Sequence, residues 1–132
     1  MDLSQNAFFR EAFLDECAVH AKRDPLDFRL ALLAADSRAR RVLEAVAKLA
    51  GWRERGAAGR HLGIAYAEGW GSHCAIVAEA TLAAGRVRIT RCYAAVDCGT
   101  TVNPSSAAAQ VEGGIAMALS ATLLEEARVK DG

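Results

Sequence analysis

The chain has 132 residues, 52% of them hydrophobic, and its sixteen basic residues balance sixteen acidic ones. That apolar content excludes a disordered chain, and the length suits one domain or a piece of a larger one. Zero formal net charge, with no basic face, argues against nucleic acid or a membrane surface as partner.

The first third reads as helical. Ser4 or Asn6 caps a helix to about Lys22, with Phe9, Phe13, Cys17 and His20 at the spacing of one face. Asp24-Pro25 restarts the chain as cap and first helical residue, and Leu26, Leu30 and Leu33 stripe a short second helix. Ser37 caps a third helix through about Ala50, with Val42, Leu43, Val46 and Leu49 inward and Gly51 at its end. Residues 51–60, "GWRERGAAGR", read as a connector loop whose Arg53, Arg55 and Arg60 are solvated.

The period then changes. Residues 61–69, 73–84 and 86–97 read as strands, the last alternating Val87, Ile89 and Arg91 with Arg86, Arg88 and Thr90. A hairpin turn joins the second to the third, with Gly85 free to take positive φ. Asn103-Pro104 caps a final helix over about 103–128. Three helices, three strands with an antiparallel hairpin, and one long buried C-terminal helix make an α+β fold.

Between Ser106 and Leu124 only Gln110 and Glu112 are strongly polar, so the length alone would cross a bilayer. The stretch is mostly Ala and Gly, however, and a central carboxylate costs about 2.5–3.5 kcal/mol. It is expected to be a helix buried by protein on most sides. "MDLSQNAFF" lacks the basic and apolar regions of a signal peptide. Cys17, Cys74, Cys92 and Cys98 contain no C-x-x-C, and His20, His61 and His73 are not spaced with them as zinc ligands. They read as buried thiols in a reducing cytoplasm, with no metal site; a thiol-based redox or metal-binding protein is a minor alternative.

Two stretches invite chemistry. From Asp97 the chain turns at Gly99 into the Asn103 helix, whose N-terminal N–H groups suit a phosphate. Two turns in, Gln110 shares a face with Gly113, Gly114, Met117 and Ala121. Such a face lets a flat group approach the backbone, and an amide can donate and accept along the edge of a pterin or nucleobase. Tight packing is the other sufficient reason for the glycines. The second stretch, "EGWGSHC" (68–74), marks either a ligand approach or a bulge. A Ser72–His73–Asp97 triad is rejected, because neighbouring strand residues face opposite sides. Glu68 and Glu112 have no spacing that brings them together, and Glu68 reads as a solvated strand end.

"NAFFREAFLDECAVHAKRDPLDFRLALL", "GRHLGIAYAEGWGSHCAIVAEATL" and "GRVRITRCYAAVDCGTTVNPSSAAAQVEGGIAMALS" together resemble the large molybdenum-binding subunit of the xanthine dehydrogenase/aldehyde oxidoreductase family. The isoquinoline 1-oxidoreductase β-subunit type is the nearest likeness, carried by Asp97-x-Gly99-x-x-x-Asn103-Pro104 followed by Gln110-Val-Glu-Gly-Gly114. The resemblance implies part of a larger molybdopterin-binding domain in a hydroxylase or dehydrogenase that puts water-derived oxygen on an aldehyde or N-heterocycle. It implies molybdenum on a pyranopterin, in its cytosine dinucleotide form, and 2Fe–2S clusters on a separate small subunit. It places Gln110 against the pterin, with Gly113 and Gly114 beside it and the 97–104 turn in support.

The family's catalytic Gly-x-Gly-Glu segment is absent, so no catalytic residue is assigned and Glu112 does not inherit that role. Its glycine-rich loops and iron–sulfur cysteines are absent too. The chain is therefore expected to be an internal slice, inactive alone. Its 104–126 and Phe8–His20 helices would then expose surface that the rest of the larger polypeptide covers, and this invites self-association. A non-catalytic α+β packing module is the competing reading.

Overall fold

The computed structural model describes residues 2–56 and 60–130. The order is α1 (Asp2–His20), α2 (Pro25–Ala31), α3 (Arg38–Ala50), a 3-10 turn (Trp52–Glu54), β1 (His61–Gly69), β2 (Ser72–Ala83), β3 (Arg86–Asp97) and α4 (Pro104–Leu123). This is the expected α+β order. The chain divides into two compact units, the first ending at Gly99 and the second starting at Thr100.

In the first unit an antiparallel sheet, ordered β1-β2-β3, carries α3 on one face. Register explains which face. Ile64, Val77 and Tyr93 stand opposite one another, as do Tyr66, Ala75 and Ala95. These rungs meet Val42, Leu43, Val46, Ala47 and Ala50 of α3 in the core. The same face turns polar at both ends, with Glu68, His73 and Asp97 on one rung and Glu79 opposite Arg91 on another. The second face carries only Gly63, Ala65, Ala67, Cys74, Ile76, Ala78, Cys92, Ala94 and Val96 over the same span, and none of them is buried.

Local signals set the helix ends. The Asp24 side chain accepts from the Leu26 and Asp27 amides, Ser37 accepts from the Arg40 amide, and Gly51 closes α3 with φ 64°. Helix α1 starts at Asp2, so Ser4 and Asn6 lie inside it rather than at its cap. Leu49 is exposed, because at 100° per residue it sits about 90° from the centre of the buried face of α3.

Two further features concern charge. Phe9 and Phe13, on the helix expected to expose surface, are both about two-thirds exposed. Helix α1 instead turns Glu11 inward, where Arg29 (3% exposed) donates Nε to its carboxylate at 2.9 Å and Nη2 to its carbonyl at 3.0 Å. Arg29 Nη1 reaches Asp15 at 2.7 Å. Glu11 also accepts the Tyr66 amide at 3.0 Å, while Arg10 donates to the Tyr66 carbonyl at 2.8 Å, so α1 clasps the free edge of β1.

The arginines of 51–60 are not simply solvated either. Arg53 pairs with Asp27, Arg60 with Glu79, and Arg55 with Asp24 while lying 4.0 Å over the ring of buried Trp52. Trp52 in turn donates its indole N–H to Asp24. Part of the connector, 57–59, lies outside the described residues.

All three strands appear, β2 shifted by one residue. Both connections are two-residue turns with positive φ at each position, Trp70-Gly71 (49° and 74°) and Ala84-Gly85 (52° and 72°). "EGWGSHC" is thus a hairpin turn rather than a bulge.

The second unit contains α4, which ends at Leu123 and not near Arg128. Glu125 and Glu126 follow at the negative end of the helix dipole, where a cation is favoured. No residue of α4 is buried: the burial expected of it falls to the rest of a larger polypeptide, and in this slice the 104–126 helix is expected to expose surface. Among the described residues no helix is long and apolar enough to cross a membrane. The thiols also differ from expectation, with Cys17, Cys74 and Cys92 half-buried and Cys98 exposed.

Replacing Arg29 by Met leaves Glu11 with only the half-exposed Arg10 as charge partner and is expected to cost up to about 3–5 kcal/mol, whereas the Arg29→Met/Glu11→Leu pair should recover most of that loss. Urea unfolding of both variants measures it, and equal losses would remove the network from its structural role.

Candidate functional site

The first part of the site is the exit of β3. Asp97 closes the polar rung that it shares with His73 and Glu68. Arg38, first residue of α3, grips Asp97 with Nε to Oδ2 at 2.8 Å and Nη2 to Oδ1 at 2.7 Å, the two-pronged geometry that suits a guanidinium. Its Nη1 also donates to the Gly71 carbonyl at 2.8 Å, so one side chain ties the β1–β2 turn to the end of β3. Asp97 accepts the Gly99 amide at 3.1 Å, and Gly99 takes φ 77°, which ends the extended run of β3. The Arg38 hydrogen bonds, helped by the Gly99 amide, hold the Asp97 carboxyl far below its usual range.

Beside Asp97 on the sheet, the Tyr66 hydroxyl lies 2.6 Å from Glu68 and 2.7 Å from His73 Nδ1. A carboxylate only accepts, so the phenol hydrogen goes to Glu68 and His73 presents Nδ1–H to the phenol oxygen. Burial first, and the Glu68 contact second, push the Tyr66 hydroxyl well above its ordinary value and keep it neutral. Glu68 is solvent-facing as expected, yet it is engaged by Tyr66 and sits 3.6 Å from His73. Asp97 belongs to Arg38 and His73 to Tyr66, so no Ser72–His73–Asp97 relay is assembled.

The second unit holds the helix residues singled out by sequence. Asn103 caps α4 by accepting the Ser106 amide at 3.0 Å, and Pro104 has no N–H, so part of that helix end is already spoken for. Gln110, Gly113 and Gly114 are exposed along α4. A methyl group added at either glycine would meet nothing within 4 Å, so close packing within the second unit does not account for the pair. What remains is an open strip of backbone beside an amide that can donate and accept, a donor set that fits the edge of a flat heterocycle. Among the described residues no three of His, Cys, Asp and Glu come together as a metal site.

Arg38 was not legible as a site residue, although a signal existed. The first turn of α3 carries Arg38, Arg40 and Arg41 and no acid, at the helix end that repels cations. Each must therefore find an acceptor elsewhere: Asp97 for Arg38, Glu44 and the Leu30 carbonyl for Arg40, and the Asp36 carbonyl for Arg41.

The model of the molybdopterin cofactor-binding domain family matches residues 13–132. The chain is 35% identical over 135 aligned positions to the beta subunit of the isoquinoline 1-oxidoreductase of Brevundimonas diminuta, covering 98% of this chain and 17% of that protein. It is 31% identical to a nicotinate dehydrogenase subunit of Pseudomonas putida, over 92% of this chain and 12% of the relative. A probable xanthine dehydrogenase subunit of Bacillus subtilis is 43% identical over 44% of this chain and 8% of its own length. The chain thus spans about a sixth or less of these relatives. No solved structure gives a significant match.

Asp97 has a folded pKa below its ordinary 3.8, so its contribution is complete above 3.8 and fades as pH falls toward the folded value. The stability gap between the natural chain and Asp97→Asn should be constant from pH 7 to about pH 5 and shrink on further acidification. Thermal unfolding across that range measures it; a gap that widens in acid would contradict the Arg38 grip.

Proposed function

The chain belongs to the molybdopterin cofactor-binding domain family, and we propose that it serves within a longer molybdenum-binding subunit as the part whose Gln110 meets the pterin edge. The observation that carries this reading is Gln110 exposed beside Gly113 and Gly114, on a helix whose own unit gives no packing reason to keep its glycines. Gln110 would hold the heterocycle by a donor–acceptor pair, and the two glycines would let it approach the backbone. Asn103-Pro104 fixes where α4 begins. Arg38 and Asp97 fix where β3 ends.

When bound, the cofactor supplies two-electron oxidation of an aldehyde or N-heterocycle with oxygen drawn from water. The cytosine dinucleotide form, a small subunit with 2Fe–2S clusters as electron acceptor, and a cytoplasmic setting belong to the same reading. The remaining polypeptide would cover the Gly/Ala/Cys face of the sheet and the exposed Phe8, Phe9 and Phe13 of α1. Alone, the chain should therefore lack hydroxylation activity and associate with itself, which sedimentation against concentration measures.

The decisive test uses the full-length protein that contains this chain. Gln110→Leu should lower molybdenum and pterin content several-fold, since an unpaired buried heterocycle edge costs about 1–3 kcal/mol. Its unfolding midpoint without cofactor should be unchanged. Full molybdenum loading in Gln110→Leu would refute the assignment, and a natural full-length protein that holds no molybdenum would favour a cofactor-free packing module.

A further inference from the structure

The chain carries no net charge, so a local excess of one sign has to be built by the fold. One is built where β3 bulges. The ladder pairs Glu79 with Arg91 and then Ala80 with Ile89, leaving Thr90 as the extra residue. On a regular strand Thr90 and Arg91 would point to opposite faces. At the bulge both line one pocket of about 230 Å³, together with Arg60, Glu79 and Tyr93. Re-aiming a side chain is what bulges do beside binding sites.

The two guanidinium groups in this pocket are not equivalent. Arg60 is committed, with Nη2 on the Glu79 carboxylate and Nη1 on the Ala50 carbonyl at the end of α3. Glu79 answers that pairing: the Arg60 hydrogen bond holds its carboxyl below the usual range, so it stays an anion bound to Arg60. Arg91 forms no ion pair among the described residues; Nη1 donates only to the Tyr93 hydroxyl, at 3.4 Å. The Tyr93 oxygen also accepts from Arg60 at 3.1 Å, so both of its lone pairs are used and its hydrogen remains to be donated. The Thr90 hydroxyl is anchored on the Glu79 carbonyl at 3.3 Å, which fixes the pocket wall.

We propose that this pocket binds a small oxyanion, a carboxylate or phosphate group, with the Arg91 guanidinium as charge partner and the Tyr93 hydroxyl as donor. Two guanidinium groups against one carboxylate leave a single positive charge, which one such group neutralises. A guanidinium fork matches the paired oxygens of either group. The site depends on nothing assigned to Gln110 and tests separately from it.

The test is titration of the chain with sodium phosphate and, separately, sodium acetate at constant ionic strength, followed by amide NMR shifts. The expected result is saturable change centred on Thr90, Arg91 and Tyr93, and the tighter of the two anions identifies the group. Arg91→Gln should weaken binding about tenfold, as loss of a charge-assisted pair does, and Tyr93→Phe should weaken it with the ring and fold retained. Arg128→Gln, a change at an exposed ion pair elsewhere, should leave binding unaltered. Shifts spread over every basic residue without saturation, or unchanged affinity in folded Arg91→Gln and Tyr93→Phe, would overturn the proposal.

Discussion

The first unit depends on one buried charge. Arg29 is almost wholly removed from water, and an ion so placed is tolerable only if its donors are met. Four hydrogen bonds meet them, two to Glu11 and one each to Asp15 and the Pro25 carbonyl. Because Glu11 must face Arg29, the rotation of α1 is fixed, and its phenylalanines are carried outward. Because Glu11 also takes the Tyr66 amide, the same constraint places α1 along the edge of the sheet. A purely apolar contact would have left that rotation freer, since burial of surface is non-directional.

The sheet works on similar terms. Its α3-facing side is apolar in the middle and polar at both ends, and arginines close each end: Arg38 on Asp97 at one, Arg60 on Glu79 at the other. Arg38 opens α3 and Arg60 directly precedes β1, and they span 59 and 19 residues to their partners. Between them the core is Ile64, Val77, Ala75 and the α3 stripe, joined by Leu26 and Trp52. Over the span between these two closures the opposite side carries no polar side chain, in keeping with a layer meant to be covered.

What the sequence disclosed was what chemistry decides locally. Asp24-Pro25, Ser37 and Gly51 set helix ends through groups within three residues, and β1 and β3 ended where turn residues required. What stayed hidden was long-range pairing. Nothing near Glu11 announces Arg29, and the Arg53, Arg55 and Arg60 partners lie 19 to 31 residues away. The apolar spacing of Phe9 and Phe13 described an exposed face, but not the charge network that turns Glu11 inward instead. For the candidate site the motif was legible and the geometry was not: Gln110 and its glycines share a face by helical period alone, whereas the support from Arg38 rests on a contact across 59 residues.

The two tryptophans stand in opposite environments. Trp52 is enclosed, its indole N–H bonded to Asp24 and its ring beneath a guanidinium. Trp70 is 94% exposed at the tip of a tight turn. The chain thus carries two native emitters that a dissolved quencher such as acrylamide can separate. One reports water contact at the hairpin tip, and the other stays dark to the quencher until the helices part from the sheet.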